Sequence, residues 1–139
     1  MSAFSIQIDE ASLRHLTYGL LKAEEAVLEG GKAGVQLAAE LAFDQAQTNV
    51  PVKSGALRDS GAIADTGNEV IIERTISYGT DVPNPAGVPT SAYAVARHEI
   101  PNKKNPAAYK WLETAVRDVG SELLIEAVSS EIDRALKSG

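Results

Sequence analysis

The chain of 139 residues contains no cysteine, and that absence removes disulfides, thiolate metal sites and cysteine nucleophiles together. Aromatic residues are scarce, with one Trp, two Phe and four Tyr. The core therefore has to be built mostly from Leu, Ile, Val and Ala, and so modest a core is readily completed by association with further subunits. Basic residues are outnumbered, 13 Lys and Arg against 19 Asp and Glu, for a net charge of −6 and a pI near 4.9. Duplex binding rests on cations that neutralise phosphates, so this balance argues against a protein that grips nucleic acid. An acidic wall is compatible instead with DNA sliding past without sticking. No stretch approaches the roughly 18 apolar residues that span a bilayer, so no membrane partner is expected. The opening MSAFSIQIDE lacks the basic region and continuous apolar run of a secretory leader, and synthesis in the cytosol is the expectation.

What is present suits a globular protein. The chain is 44% hydrophobic and 23% charged, far from the composition of disordered chains, and its length fits one compact domain over residues 1–139. Phe4, Ile6 and Ile8 alternate with polar residues, after which Asp9 can cap a helix with Glu10 in its favourable first turn. Leu13, Leu16, Leu20 and Val27 then recur at helical steps, widened by Leu21 and Leu28 and opposed by Arg14, Lys22, Glu24 and Glu25. Gly30-Gly31 is expected to weaken or break this helix, at about 1 kcal/mol per glycine relative to alanine. A second helix comes next, with Val35, Ala38, Ala39, Ala42 and Ala46 as its apolar stripe and Leu37 and Leu41 beside it. Its small alanines admit a close neighbour. Pro51 ends it, because the residue before a proline is pushed out of the helical region, so the helical pair spans about residues 9–49.

Between residues 61 and 78 the period falls to two. Val70, Ile72, Ile76 and Tyr78 take one face and Ile71, Glu73, Thr75 and Ser77 the other, with Asp65-Thr66-Gly67-Asn68 as a hairpin connection. Residues 79–91 hold three prolines and two glycines without periodicity; they form a loop of a length that is usually functional or disordered. Tyr93 to His98 resumes as a third short strand, so sheet and Pro-rich loop cover about residues 56–100. A polar turn with Lys103 and Lys104 leads to a C-terminal helix over about residues 106–137, opened by Pro106 with Asn105 as cap. Its stripe is Leu112, Val116, Val119, Leu123, Ala127, Ile132 and Leu136, with Gly120 a candidate bend. The order predicts an α+β domain: two N-terminal helices, a small antiparallel sheet of about three strands, and a long C-terminal helix packed on the sheet.

Catalytic pieces are few. Ser54, Ser60, His15 and His98 are the raw material for a hydrolase, but neither serine sits in a Gly-x-Ser-x-Gly context. His15 lies on the first helix as a surface or boundary residue. His98 and Glu99 are neighbours in the expected strand, which sends their side chains to opposite faces. With two histidines and no His-x-x-x-His pair, a zinc centre would need carboxylates for its remaining ligands. Gly30, Gly31 and Gly34 come after a helix rather than a strand and lack the Gly-Lys-Ser/Thr ending of a phosphate loop. No catalytic, metal or cofactor-binding residue is therefore assigned, and no cofactor is implied. Lys53, Arg58, Lys103, Lys104 and Lys110 gather around the two turns, where they could meet DNA, meet an acidic surface on a partner subunit, or simply be solvated. Tyr109 and Trp111 suit a core or interface anchor better than a ligand box.

Residues 49–61, NVPVKSGALRDSG, place a proline-led turn and a glycine before a short, weakly apolar strand. Pro51, Val52, Ser54, Gly55, Leu57 and Ser60, with Arg58 between them, resemble the Pro-Val-x-Thr/Ser-Gly-x-Leu-x-x-Ser signature of the tail-completion, or neck, proteins of long-tailed bacteriophages. Tyr93-Ala94-Val95-Ala96-Arg97-His98-Glu99 is similar to that family's Tyr-Ala-x-x-x-His/Glu-Glu strand, and Tyr109-Lys110-Trp111-Leu112-Glu113-Thr114-Ala115 to its aromatic-Leu-x-x-Ala helix opening. The three segments occur in the family's order, and with the intervening helices the resemblance covers nearly the whole chain. Ser54 stands where Thr is usual, and Glu99 precedes Ile-Pro rather than a Phe-Gly turn, a variant that also resembles minor capsid proteins of some phages.

The resemblance implies a non-enzymatic virion protein, made in the host cytoplasm. It would be a neck ring subunit that joins the head connector to the tail and lines the passage of genomic DNA. Its partners would be further copies of itself, connector or adaptor proteins, and tail tube or terminator proteins. Tail symmetry implies a hexamer and portal symmetry a dodecamer, of which the hexamer is favoured. The motif residues Pro51, Val52, Gly55, Leu57, Arg58, Ser60, Tyr93, His98, Glu99, Trp111 and Leu112 would serve assembly. Asp81, Pro83, Pro85 and Pro89 would form a preorganised loop that reaches a neighbouring subunit. A tail terminator ring or minor capsid protein is the alternative within this class. A small α+β hydrolase or nuclease would call for clustered carboxylates and a deep pocket, and a DNA-binding regulator for a basic recognition helix.

Overall fold

The computed structural model describes residues 10–138, with side chains from residue 22 onward. The expected alternation of Phe4, Ile6 and Ile8, the Asp9 cap, and the side chains of Leu13, His15, Leu16, Leu20 and Leu21 lie outside the described residues. The elements in chain order are helix α1 (Glu10–Asn49), a single helical turn α2 (Ala56–Asp59), strands β1 (Ala62–Asp65) and β2 (Arg74–Ser77), helix α3 (Ala94–Glu99) and helix α4 (Trp111–Ser138). Short 3₁₀ turns at Thr90–Ala92 and Pro106–Ala108 precede α3 and α4. The architecture is α+β, long helices with a small antiparallel sheet.

The expected break at Gly30-Gly31 is absent. Helix α1 runs unbroken for 40 residues through both glycines. Gly30, together with Gly34 one turn later, serves close packing. A Cβ on Gly30 would lie 2.4 Å from Ile132 Cα, and one on Gly34 2.4 Å from Val128 Cα, so α1 and α4 touch backbone to backbone there. The pairings Gly30 with Ile132, Gly34 with Val128 and Gln45 Nε2 with Asp118 Oδ2 at 2.7 Å run in opposite chain directions, making the two helices an antiparallel pair. Gly30, Gly34, Ala38, Ala42 and Ala46 form one row at four-residue spacing, all buried. Such a row presents a shallow groove that accepts the neighbouring helix closely. The propensity cost of two helical glycines is thus offset by the packing contacts that their missing side chains admit.

Helix α1 ends at Asn49 ahead of Pro51, and Gly55 turns the chain with a φ of 88°, a left-handed value that favours glycine. Beyond Gly55 the chain forms a turn of helix rather than the expected strand, burying Leu57 and Ser60 three residues apart. The hairpin pairs Ile63 with Ile76 and Asp65 with Arg74. Ile72, Ile76 and Tyr78 are half-buried on one face, as their spacing predicts, while Val70 sits exposed in the turn. The reversal comes three residues later than expected, at residues 68–71. There the Asn68 N–H donates to Ile71 O at 2.8 Å, and Asn68 Oδ1 accepts the Val70 and Ile71 N–H groups.

The sheet has two strands among the described residues, not about three. The third expected strand, Tyr93 to His98, is helix α3. Its burial has a period of four: Ala94 and His98 are covered while Val95 is 73% exposed. The sheet lies against α1 rather than chiefly on the C-terminal helix. Arg74 ties it there, donating through Nε to Gln36 at 2.7 Å and pairing with Asp65 at 3.1 Å.

Helix α4 begins at Trp111, not Pro106. Asn105 makes no side-chain cap bond, Tyr109 is extended, and Lys110 adopts a φ of 50° before the helix starts. The bend at Gly120 is present: its φ of 57° and ψ of −175° interrupt the helix between residues 111–119 and 121–138. Trp111, Ala115 and Ala127 are its buried residues, whereas Val116, Leu123 and Leu136 of the expected stripe are exposed. The bend rotates the second half of the helix, so no single stripe describes both halves.

The two adjacent glycines should respond oppositely to the same change. Gly30→Ala drives a methyl into the α4 backbone and should lower unfolding free energy by about 1–3 kcal/mol in urea denaturation. At Gly31 the methyl meets only the far end of the Ile72 side chain, Cδ1 at 3.0 Å. Gly31→Ala should therefore be neutral or stabilising by up to about 1 kcal/mol. Equal effects would refute the close-packing role of Gly30.

Candidate functional site

Residues scattered along the chain meet in one core at the end of the helical pair where α1 stops and α4 begins. Ala46 and Val50 come from α1 and its exit, Leu57 from α2, Ala94 from α3, and Trp111 and Ala115 from α4. Tyr78, Tyr93 and Leu112 pack against them. Trp111 is the centre, 1% exposed, with Tyr78 edge-on at 5.5 Å and His98 at 4.8 Å between ring centroids. Edge-to-face rings at these distances add roughly 0.5–1.5 kcal/mol to their burial. Tyr78 also stacks on Phe43 at 6.2 Å and donates its hydroxyl to Gln47 Oε1 at 2.7 Å. Burial pushes the Tyr78 phenol up to about 12.

His98 is the latch between α3 and α4. Its carbonyl accepts the Lys110 N–H at 2.8 Å, and its Nε2 accepts the Glu113 N–H at 3.3 Å in the first turn of α4. With Nε2 as acceptor the ring proton belongs on Nδ1, which donates to Glu99 Oε1 at 2.9 Å. His98 and Glu99 are therefore bonded to each other, contrary to the opposite faces a strand would give them. The His98 hydrogen bond, helped by Lys110, holds the Glu99 carboxyl below its usual range. Lys110 lies 3.2 Å from Glu113 and 3.7 Å from Glu99, and Glu113 chiefly raises its ammonium.

The other candidate side chains have backbone duties. Ser60 Oγ donates to Leu57 O and accepts the Gly79 N–H at 2.8 Å, and Ser54 Oγ accepts the Ala56 N–H at 3.3 Å. Arg58 is exposed. Among the described residues no group of three or more His, Asp or Glu side chains is placed to hold a metal ion. In the Pro-rich loop, Pro83 bridges Pro89, and Asn84 Oδ1 accepts the Ala86 and Val88 N–H groups at 2.9 and 3.0 Å. Asp81 and Pro85 are exposed beside it.

Above the core lies a cleft of about 450 Å³. Its walls are residues 51–55 with Leu57, Asn84 and Val88 from the Pro-rich loop, Tyr93 and Arg97 from the start and middle of the α3 segment, and Asn102 and Asn105 from the turn after it. Five motif residues, Pro51, Val52, Ser54, Gly55 and Leu57, share one wall, and Tyr93 joins them from the second motif. Leu112 instead borders a smaller apolar groove of about 280 Å³ beside the Gly120 bend. Of the basic residues noted in the sequence, Lys53 lines the cleft while Lys110 is held by carboxylates. Arg97 and the three asparagines carry no signal that sequence spacing could have isolated. Comparison with protein-family models, curated proteins and solved structures returned no match.

The Tyr78 environment gives a direct spectroscopic check. A phenol whose folded pKa is raised stabilises the fold below its unfolded value of 10.0, and that contribution is lost as pH rises toward about 12. Tyrosinate absorbance of the wild type should contain a component titrating near 12 that is missing from Tyr78→Phe. A wild-type curve without that late component would show that Tyr78 is not buried against Trp111.

Proposed function

We propose that the protein is a structural subunit of the bacteriophage neck, a non-enzymatic ring component that joins head connector to tail and lets genomic DNA pass. The observation that carries the reading is the convergence of the three motif segments. Residues 51–60, 93–99 and 109–115 are far apart in sequence, yet they supply Leu57, Tyr93, Ala94, Trp111 and Ala115 to a single core. A motif that survives as a packing node rather than as a set of reactive groups suits a part whose task is to hold surfaces at a fixed angle. Pro51 and Gly55 set the exit from α1, and the His98 latch sets α3 on α4.

The surface supports assembly as the task. Leu37, Leu41, Val116, Leu123, Ile125 and Leu136 on the long helices are each 40% exposed or more. Apolar side chains left open in this number suit burial against a second copy. A ring uses heterologous contacts, one face meeting a different face of the next copy until the rotation closes. A hexamer matches tail symmetry and is the favoured ring, with connector and tail proteins above and below. The net charge of −6 suits a lumen that DNA crosses without adhering. In this reading the protein resides in the virion.

Disruption of the gene in its parent phage or prophage, with negative-stain microscopy of the induced lysates, tests the proposal. Filled heads beside unattached tails are the expected result. Overlong tails would move the protein to the tail terminator, and normal infectious particles would overturn the reading.

A further inference from the structure

We infer that the cleft above the core is a binding site for a short, extended acidic peptide segment presented by a partner protein. The inference rests on the cleft's own chemistry and does not depend on where the protein resides. In a chain of net charge −6, no Asp or Glu among the described residues lines this cleft, while Lys53 and Arg97 both do. Neither cation has an ion-pair or side-chain hydrogen-bond partner among the described residues. Two of the three asparagines, Asn84 and Asn102, add donors of the same sense. Asn84 Oδ1 is occupied by the Ala86 and Val88 N–H groups, and Asn102 Oδ1 by the Lys104 N–H at 3.0 Å. Their acceptor oxygens are thus committed to the backbone, which leaves the two NH₂ groups to face a ligand. Lys103 and Lys104 stand exposed in the same turn as Asn102 and extend the positive field at the rim.

Two unpaired cations with no carboxylate beside them among the described cleft residues call for an anion, and carboxylates gain most from an unpaired guanidinium fork. Its other wall decides the class of anion. Pro51, Val52, Leu57, Val88 and Tyr93 are apolar or aromatic, so the ligand must bring aliphatic groups next to its charge. An acidic peptide with interspersed Val, Leu or Ile does this. Nucleic acid fits less well, because backbone binding needs a longer track of cations than Lys53 and Arg97 provide. The volume of about 450 Å³ lies within the ~300–1,000 Å³ range of ligand clefts, too large for a lone inorganic anion.

The test is an amide-shift titration of the ¹⁵N-labelled full chain with the blocked peptide acetyl-Ala-Glu-Val-Asp-Leu-amide. Its Gln/Asn counterpart, inorganic phosphate and a thymidine hexanucleotide serve as competing probes. The acidic peptide should shift the amides of Lys53, Ser54, Asn84, Arg97 and Asn102 and bind about tenfold or more tightly than its neutral counterpart. The doubly substituted Lys53→Gln, Arg97→Gln chain should lose that binding while its amide dispersion stays native, since both side chains are exposed. Shifts at these amides from the hexanucleotide or phosphate but not the peptide would overturn the peptide assignment in favour of a phosphate ligand. Absence of shifts, or undiminished peptide binding by the double variant, would overturn the site itself.

Discussion

The backbone contact between α1 and α4 at Gly30 and Gly34 is the constraint on which the remaining structure rests. A Cβ at either position would lie 2.4 Å from an α4 backbone atom, so the two helices sit as close as their main chains permit. Ala38, Ala42 and Ala46 continue the contact to the point where α4 begins. The small sheet then lies on α1, the Trp111 core closes the end of the pair, and the loops above that core enclose the cleft. A protein with so few aromatic residues gains its packing from proximity rather than from bulk, because dispersion falls off steeply with even a small gap.

Close packing of small residues explains both what is legible in the sequence and what is not. The exit of α1 before Pro51, the left-handed turn at Gly55, the inward face of Ile72, Ile76 and Tyr78, and the bend at Gly120 all obey rules local to a few residues. The unbroken passage through Gly30-Gly31 does not. Its cause is a partner backbone about a hundred residues away, and local propensity yields to it. Residues 93–98 mislead in a similar way, since six residues are too few to separate period two from period four, and only the burial of Ala94 and His98 settles the helix. The start of α4 is hidden because the chain turns through a left-handed Lys110, where no glycine marks the break.

The candidate site divides along the same line. Leu57, Tyr93 and Trp111 stand out in the sequence and meet in the core, but their importance there is to hold the loops in register. The groups that a ligand would touch come from three separate turns, which carry Lys53, Asn84 and Asn102, and from helix α3, which carries Arg97, and they have no common pattern. Their proximity is a consequence of the His98 latch and the Asn-stabilised turns. In physical terms the buried node provides geometry and the polar turns provide chemistry, and only the former leaves a strong imprint on residue type.

Amide hydrogen exchange read residue by residue along α1 tests the central constraint most directly. The close contact with α4 predicts that amides at residues 30–34 are protected to the same degree as those at residues 38–46, opening only with the pair as a whole. Fast exchange at residues 30–34, flanked by protected helix on both sides, would mean that Gly30-Gly31 is a break after all. It would also mean that the helical pair is not held by backbone contact.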